Sequence, residues 1–176
     1  MSAAAGDPKR RTVFAGRLIS VEVVEGRYRE IVHHPGACAA VALHGNDVLL
    51  VRQLRDAVGE RLLEVPAGVR DVEGEEPADC AAREVAEETG YRVTHIEPLG
   101  RVFTSPGFTD EAIELFLARV EPDGQGEDEI EVVRMPLEEA ARAVHDGRIR
   151  DAKSAVAILL AAGRVRGLHR GRRRLG

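Results

Sequence analysis

The 176-residue sequence predicts a domain of the α/β class, in which strands and helices pack around one core. Three observations predict this class. Apolar and polar residues alternate through much of the first third of the chain, as in half-buried strands. Apolar residues recur at helical spacing near residues 77–89, 137–147 and 154–166. The length suits one domain, or a core domain with a small appendage.

Four stretches in the first seventy residues predict strands, because they alternate in polarity or form short apolar runs. Gly26 separates the first two stretches, and Pro35-Gly36 ends the second. The third turns at residues 44–47, where His-Gly-Asn-Asp predicts a hairpin. The four stretches are TVFAGRLISVEVVEG, RYREIVHH, CAAVALHGNDVLLVRQL and RLLEVPAGV.

The clearest helix is predicted at about residues 77–89. Pro77 suits a first helical turn, apolar residues recur at helical spacing after it, and Gly90 suits a helix end. Later elements are predicted from the same two periodicities. The strands are IEPLGRVFT, EAIELFLARVE and IEVVRMP, and the helices are LEEAARAVHDG and SAVAILLAAGRVR.

Composition argues against several classes of protein. No run approaches the roughly 18 consecutive apolar residues of a membrane helix, and MSAAAGDPKRR lacks the apolar run of a signal peptide. Cys38 and Cys80 lack metal-ligand spacing, so we expect reduced core thiols in a soluble cytoplasmic protein. A net charge of −5 argues against general nucleic-acid binding. The end, RVRGLHRGRRRLG, is basic, and we expect a solvated tail there rather than a phosphate-binding arm.

Acidic residues at the end of the predicted helix break a rule of helix design. The stretch REVAEETG places Glu84, Glu87 and Glu88 where exposed carbonyl groups already make the helix end negative. Like charges three or four residues apart cost about 0.2–0.5 kcal/mol per pair. The loop before the helix is rich in Asp, Glu and Gly, and it can bring a carbonyl oxygen such as that of Ala67 towards these side chains. Oxygen donors without His or Cys favour Mg²⁺ or Mn²⁺, and Mg²⁺ commonly also binds substrate phosphates.

A solvated helix face is the alternative interpretation of these glutamates. Surface helices are often rich in Glu, and Arg83 can pair with Glu87 at the i,i+4 spacing. The broken dipole rule favours a functional site, because a local violation without visible compensation tends to mark function.

The same residues resemble the Nudix box. Its pattern is Gly, five residues, Glu, seven residues, Arg-Glu, an aliphatic residue, any residue, Glu-Glu, any residue, Gly and an aliphatic residue. Glu75, the seven residues after it and the run from Arg83 to Gly90 fit this pattern. Two positions depart from it: six residues rather than five separate Gly68 from Glu75, and Tyr91 replaces the last aliphatic residue. The longer spacing predicts a one-residue bulge in the loop, with the helical glutamates still in register.

Similarity extends from about Val13 to Leu160 and resembles most the Nudix subgroup that hydrolyses ADP-ribose and related nucleoside diphosphate sugars. It rests on HHPGACAAVAL, VRQLRDAVGERLLEVPAG, TSPGFTDE and RDAKSAVAILL, and on Pro106 sixteen residues after Gly90. The resemblance implies an α/β/α sandwich with a mixed sheet and an N-terminal antiparallel β extension, which relatives often exchange in a homodimer. The expected boundaries are 1–38 for the extension, 39–165 for the catalytic domain and 166–176 for a partly disordered basic tail.

The resemblance also implies roles for the acidic helix. Glu84 and Glu88 would bind the metal, with Glu87 and the carbonyl group of Ala67 as further ligands. Arg83 would orient the glutamates, and both Arg83 and Glu87 are candidates for the catalytic machinery.

A mobile carboxylate is implied as general base, from the loop that reads GQGEDEIEVV. Glu127 and Glu129 are both candidates, and we favour Glu129 because it lies nearest the strand IEVV. An acidic solvent-exposed loop is the alternative interpretation.

Substrate contacts are expected from two further segments. Arg55 matches the family's Q-x-R arginine, and both it and Arg52 could bind phosphate bidentately. The alternative for these arginines is surface charge or an ion pair with Glu60 or Asp56. The Pro-Gly turn in SPGFTDE would shape the far wall of the pocket, and its candidates near a ribose are Ser105, Pro106, Gly107, Thr109 and Glu111.

The base-stacking residue stays open, because the chain has few aromatic residues. Arg61 lies near a position where relatives often carry a large aromatic side chain. The candidates are Phe14, Tyr28, His33, His34 and Phe108.

We therefore expect hydrolysis of ADP-ribose to AMP and ribose 5-phosphate, dependent on Mg²⁺ or Mn²⁺, by a homodimer without specific nucleic-acid or membrane partners. The nearest alternative is another nucleoside diphosphate sugar or a dinucleotide, because the metal site recognises only the shared pyrophosphate. A non-catalytic ADP-ribose sensor is the alternative of a different class, against which the full carboxylate set argues.

Overall fold

A seven-stranded mixed sheet forms the centre of the molecule, with helices on both faces. The computed structural model describes residues 9–26, 29–124, 126 and 130–172. The elements within these ranges are β1 (Arg10–Ala15), β2 (Ser20–Val24), β3 (Arg29–His33), β4 (Ala37–His44), β5 (Asp47–Arg55), β6 (Glu60–Glu64), β7 (Ala67–Val69), α1 (Pro77–Thr89), β8 (Tyr91–Phe103), β9 (Ala112–Pro122), β10 (Glu131–Pro136), α2 (Leu137–His145) and α3 (Ala152–Arg172).

Strand β4 lies in the middle of this sheet, whose main strand order is β10-β5-β4-β9-β8. It pairs in parallel with β9 and antiparallel with β5 and β7. Its Ala39 and Val41 pack towards α2 and α3, whereas Cys38 and Ala40 pack towards α1. A strand buried on both faces has a continuous apolar sequence instead of an alternating one. This layering confirms the predicted α/β/α sandwich with a mixed sheet.

A separate three-stranded antiparallel sheet of β1, β2 and β3 forms the predicted N-terminal extension. The loop between β8 and β9 hydrogen-bonds to its last strand. The Val32 amide donates to the Phe108 carbonyl group at 2.7 Å, and the Asp110 amide donates to the Val32 carbonyl group at 3.2 Å. The extension is thereby attached to a loop that also leads towards the candidate site.

An imidazole strengthens this attachment. His33 Nδ1 lies 2.6 Å from Asp110 Oδ2, and Nε2 lies 3.1 Å from Glu22 Oε2. The hydrogen bond with Asp110, followed by that with Glu22, raises the pKa of His33. The same contact with His33 lowers the pKa of Asp110. The protonated imidazole therefore links two carboxylates from different parts of the chain.

Most predicted elements are confirmed, and β8 and α3 differ in extent. Helix α1 spans the predicted residues. Strand β8 begins at Tyr91, five residues before the predicted start, and shifts register between Val93 and His95 and again near Gly100. These irregularities interrupt the two-residue periodicity on which the prediction depended. Helix α3 begins two residues before its predicted start and continues to Arg172, so the basic end is helical through that residue.

Two further expectations concern the core and the surface. Cys38 and Cys80 are both free and buried, as expected. Within the described residues, no helix is long and apolar enough to cross a membrane.

Candidate active site

The end of α1 has the charge arrangement that the sequence predicts. Gly90 adopts a left-handed conformation (φ 71°), and its amide donates to the Ala86 carbonyl group at 2.9 Å. The last turn of the helix contains no basic residue. Glu87 and Glu88 therefore lie at the negative end of the helix, and the charge that offsets them must come from elsewhere.

Arg83 supplies one such charge from the preceding turn. Its Nε lies 2.9 Å from Glu75 Oε1, and its Nη1 lies 2.7 Å from Glu84 Oε1 and 3.0 Å from Glu87 Oε2. The hydrogen bond with Arg83 lowers the pKa of Glu75. The i,i+4 pair that we weighed as the alternative is thus present within a larger cluster. Since one guanidinium contacts three carboxylates, the cluster keeps an excess of negative charge.

The loop before α1 approaches the Glu84 side chain very closely. A Cβ added at Gly68 would lie 2.0 Å from Glu84 Cδ, so only glycine permits this approach with Glu84 in its present position. Burial raises the pKa of Glu84, against the opposing effect of Arg83. Its ionised form therefore lacks full compensation and would be stabilised by a further cation.

Glu88 meets the same loop one helical turn later. Its side chain is buried, and its Oε2 accepts a hydrogen bond from the Ala67 amide at 3.2 Å. The loop and the helix thus meet here, and the contact is made by the Ala67 amide rather than by the carbonyl group that the sequence analysis expected.

The additional residue between Gly68 and Glu75 lies in an exposed part of the loop. Residues 70–74 are all exposed, and the Glu75 amide donates to the Val72 carbonyl group at 3.2 Å. Glu75 still contacts Arg83 with both carboxylate oxygens. The longer spacing therefore leaves the contact between the loop and the helix in place.

The candidate general bases Glu127 and Glu129 lie outside the described residues. Gly126, from the same loop, is described. A Cβ added there would lie 2.6 Å from the Glu88 backbone oxygen, so this part of the loop packs directly against the end of α1.

A cleft of about 450 Å³ is lined by Ala67 and Gly68, the two loop residues that meet Glu88 and Glu84. Among the predicted substrate residues it includes Arg55 and Glu111, and it also includes Ala67, whose carbonyl group is a predicted metal ligand. Residues from the extension, the sheet, the loops and the start of α3 form its walls: Leu18, His34, Ala37, Arg55, Ala67, Gly68, Val69, Thr104, Glu111, Ile113, Asp151, Ala152 and Lys153.

Other predicted substrate residues lie elsewhere. Arg52 lines a second cavity, and its Nε lies 3.1 Å from Glu131 Oε2. Pro106 and Gly107 line a third, of about 280 Å³, next to the exposed side chains of Phe103 and Phe108.

The remaining predicted residues of that turn make local hydrogen bonds. The Ser105 carbonyl group accepts the Thr109 amide at 3.1 Å. Glu111 Oε2 accepts a hydrogen bond from the Thr104 hydroxyl group at 2.6 Å. The turn is therefore ordered by its own backbone, and Glu111 is the member of it that faces the cleft.

Two charged residues of the cleft wall, Arg55 and Lys153, form a network with Glu64 that sequence reasoning missed in part. Glu64 is fully buried, and its two oxygens accept hydrogen bonds from Arg55 at 2.9 and 2.8 Å. Lys153 also donates to Glu64. The hydrogen bond with Glu64 raises the pKa of Arg55, and the two cations lower the pKa of Glu64 against the opposing effect of burial. Arg55 is thus held by Glu64 rather than by Glu60 or Asp56.

Asp151 fixes the start of α3 next to this network. Its Oδ2 accepts the Ser154 amide at 2.9 Å, which is an N-cap contact. It also lies 3.0 Å from Lys153 Nζ. A lysine in the first turn of a helix opposes the helix dipole. The glutamates at the end of α1 stood out because they break the same rule of charge placement. The sequence therefore did contain a signal for Lys153.

Oxygen ligands for a hard divalent ion are present, although no group of three or more His, Cys, Asp or Glu side chains in the described ranges already forms a binding set. Glu84 is turned towards Arg83, and Glu88 is turned towards the Ala67 amide. The incomplete compensation of buried Glu84 and the excess of carboxylates over guanidinium groups both fit an additional cation.

This fold and this acidic helix define the class of the protein: the chain belongs to the Nudix family, whose NUDIX domain model matches residues 32–156. It is a Nudix pyrophosphohydrolase, as the sequence predicts.

Individual relatives cover most of the chain. An ADP-ribose pyrophosphatase of Bacillus subtilis is 37% identical over 163 residues, which is 85% of this chain and 88% of the relative. A methanol dehydrogenase activator of Bacillus methanolicus is 37% identical over 164 residues, with the same coverage. A GDP-mannose pyrophosphatase of Cronobacter sakazakii is 39% identical over 144 residues, or 73% of this chain and 74% of the relative. The crystal structure of an ADP compounds hydrolase shares the fold, with a TM-score of 0.78 at 22% identity over 95% of this chain and 98% of that one.

Proposed function

We propose that the protein hydrolyses the pyrophosphate bond of ADP-ribose to AMP and ribose 5-phosphate with the help of Mg²⁺ or Mn²⁺. One observation carries the proposal: Glu84 and Glu88 meet the Gly68 loop beside a cleft that also contains Arg55. An anionic diphosphate needs charge neutralisation and a fixed line of attack, and this arrangement offers residues for both. The relative named ADP-ribose pyrophosphatase supports the choice of substrate.

The acidic helix would hold the divalent ion. Glu84 and Glu88 would be its principal ligands, and Glu87 and the carbonyl group of Ala67 would complete the oxygen set. When bound, the ion supplies positive charge for the phosphates and acidifies water. Arg83 holds the glutamates in place through the contacts described above.

The opposite wall would bind the substrate phosphates. Arg55 lies in the cleft and is fixed by Glu64, which limits its conformational freedom before substrate binds. Lys153 adds a second positive charge beside it. Glu111 would contact a ribose, with the turn formed by Ser105, Pro106 and Gly107 behind it. Arg52 has no part in this proposal, because it lines a different cavity.

Proton transfer would come from the loop after β9. Glu129, with Glu127 as the alternative, would accept the proton of the attacking water. The packing of Gly126 against the end of α1 supports this, because it brings the loop beside Glu88. A Glu129→Gln variant with near-normal kcat, together with an inactive Glu127→Gln variant, would reverse the assignment.

A homodimer would form through the N-terminal extension, residues 1–38, with residues 39–165 as the catalytic domain and 166–176 as a basic appendage. Val13, Phe14 and Leu18 are exposed apolar residues of this extension, which supports an interface there. Light scattering coupled to gel filtration tests the prediction. A Phe14→Glu variant should shift the mass towards the monomer, and an unchanged dimer would argue against this interface.

The deciding experiment compares wild-type protein with Glu88→Gln in the presence of ADP-ribose and Mg²⁺. Wild type should release AMP, and Glu88→Gln should lose turnover and metal affinity while it keeps its melting temperature. Tight binding of ADP-ribose without AMP release would instead support the sensor. A variant that remains active would refute the metal assignment.

Another nucleoside diphosphate sugar is the second candidate substrate, and the similarity to a GDP-mannose pyrophosphatase favours including it. A panel that contains ADP-ribose, GDP-mannose and a dinucleotide, compared by kcat/KM, ranks the candidates by transition-state binding. A higher kcat/KM for GDP-mannose than for ADP-ribose would replace the proposed substrate.

A further inference from the structure

A second cavity, of about 270 Å³, is lined by β5, β6, β10 and the segment between α2 and α3, and it shares no residue with the substrate cleft. Arg52 lines this cavity and Arg55 lines the cleft; residues an odd number apart on a strand point to opposite faces. The cavity contains four arginines and an apolar floor. Its residues are Arg52, Arg61, Leu62, Leu63, Val133, Met135, Arg148 and Arg150. We call it the arginine pocket.

Several guanidinium donors of the arginine pocket remain available. The Arg61 residue is exposed, and its guanidinium group has no hydrogen-bond or ion-pair partner within the described residues. Arg52 uses its Nε on Glu131, and Arg150 uses Nη2 on Glu60. Each guanidinium carries five N–H donors, so these contacts leave donors free on all three side chains.

The acidic partners restrict what kind of anion can enter. Glu60, Glu131, Glu139 and Asp146 pair with the arginines, yet none of these carboxylates lines the pocket itself. An extended polyanion such as a nucleic acid would meet these carboxylates at the rim. A small anion can contact the guanidinium groups inside without that repulsion.

We propose that the arginine pocket binds the phosphate group of a small molecule, either a phosphomonoester or free phosphate. A phosphate dianion has enough acceptor oxygens for several guanidinium groups at once, in the bidentate geometry that Arg favours. The apolar floor can contact a short carbon skeleton, and the volume excludes large ligands. The site does not depend on the proposed hydrolase activity.

Calorimetric titration with inorganic phosphate, at constant ionic strength and without divalent metal, tests the proposal. Wild type should bind phosphate in a saturable manner. Arg61→Gln and Arg150→Gln should each weaken binding about tenfold, because each removes a charge-assisted hydrogen bond. The matched control is Arg92→Gln, which removes another exposed, ion-paired arginine and should leave the affinity within about twofold.

A parallel titration with ribose 5-phosphate and with ribose distinguishes the two sources of phosphate. Tighter binding of ribose 5-phosphate than of inorganic phosphate supports a phosphomonoester site, and equal binding supports a site for free phosphate. Binding of ribose with the same affinity would overturn the proposal.

Three further results would overturn it. The first is the absence of saturable binding at tens of millimolar phosphate. The second is binding that neither Arg61→Gln nor Arg150→Gln changes. The third is loss of binding in Arg55→Gln while the two pocket variants bind normally, since phosphate would then occupy the substrate cleft. Thermal unfolding of each variant confirms that the protein is folded during the titration.

Discussion

Replacing Gly68 with alanine should separate the effect of the loop on activity from its effect on stability. The new Cβ would lie 2.0 Å from Glu84 Cδ, whereas ordinary contacts at such an atom begin at 3.4 Å. The carboxylate must therefore move by roughly 1.4 Å. Glu84 can move because the clashing atoms are at the end of a flexible side chain, so the backbone pairing of β7 with β4 can remain.

The two effects differ in size. A side chain forced about 30° away from a preferred rotamer costs about 0.5–1.5 kcal/mol. For a domain of this length, about 1 kcal/mol lowers the melting temperature by only roughly 2–4 °C. A misplacement of about 1 Å at a catalytic site can lower the rate about 100-fold. We therefore expect Gly68→Ala to lose about 100-fold in kcat/KM for ADP-ribose with a small change in thermal stability.

The assay measures AMP release by chromatography and thermal unfolding by circular dichroism. Gly163→Ala is the control, because no heavy atom lies within 4 Å of its added Cβ and the residue is within α3. That control should keep its activity and gain slightly in stability, since alanine favours helix more than glycine. A Gly68→Ala variant with activity within threefold of wild type would refute the proposed role of the Glu84 position.

Three other variants test neighbouring features. Gly126→Ala should lower kcat at least about tenfold, because its Cβ would meet the backbone of Glu88, which cannot move aside as a side chain can. Steady-state kinetics would measure this loss, and a normal kcat would contradict the prediction. Lys153→Met should raise KM and lower the free energy of unfolding in urea by about 2 kcal/mol, because it removes one cation from buried Glu64. Lys153→Arg keeps a positive charge there and should restore part of the KM and part of the stability. Protonated His33 stabilises the folded state fully below the ordinary histidine pKa of 6.5, and this stabilisation is lost as pH rises through the raised pKa of His33 in the folded protein. His33→Gln should remove this pH-dependent stabilisation. Urea unfolding from mildly acidic to alkaline pH would then show a flatter profile for the variant, and parallel profiles would contradict the role of His33.

Local sequence signals predicted the elements around the site well. Pro77 marks the start of α1 and Gly90 marks its end. Each acts through its own backbone geometry, which tertiary contacts do not change. The glutamates of that helix stood out because they broke a local rule. Neither inference required knowledge of distant partners.

Long-range contacts set the limit of sequence reasoning. Glu64 follows an apolar run, but its two cations come from β5 and from α3, so the network is visible only when those elements meet. Arg52 and Arg55 appeared equivalent in the sequence, yet the strand turns them to different cavities. The parallel pairing of β4 with β9 likewise depends on a crossover that no local pattern encodes.

That pairing also affects how the chain can be made. Ala37 of the central strand pairs with Ile113, 76 residues further along the chain. During synthesis β4 therefore leaves the ribosome with one edge unpaired, and it must wait until β9 has emerged. An apolar strand in that situation can associate with other nascent chains, so slower translation between these two strands should lower the yield of folded protein more than slower translation after β9.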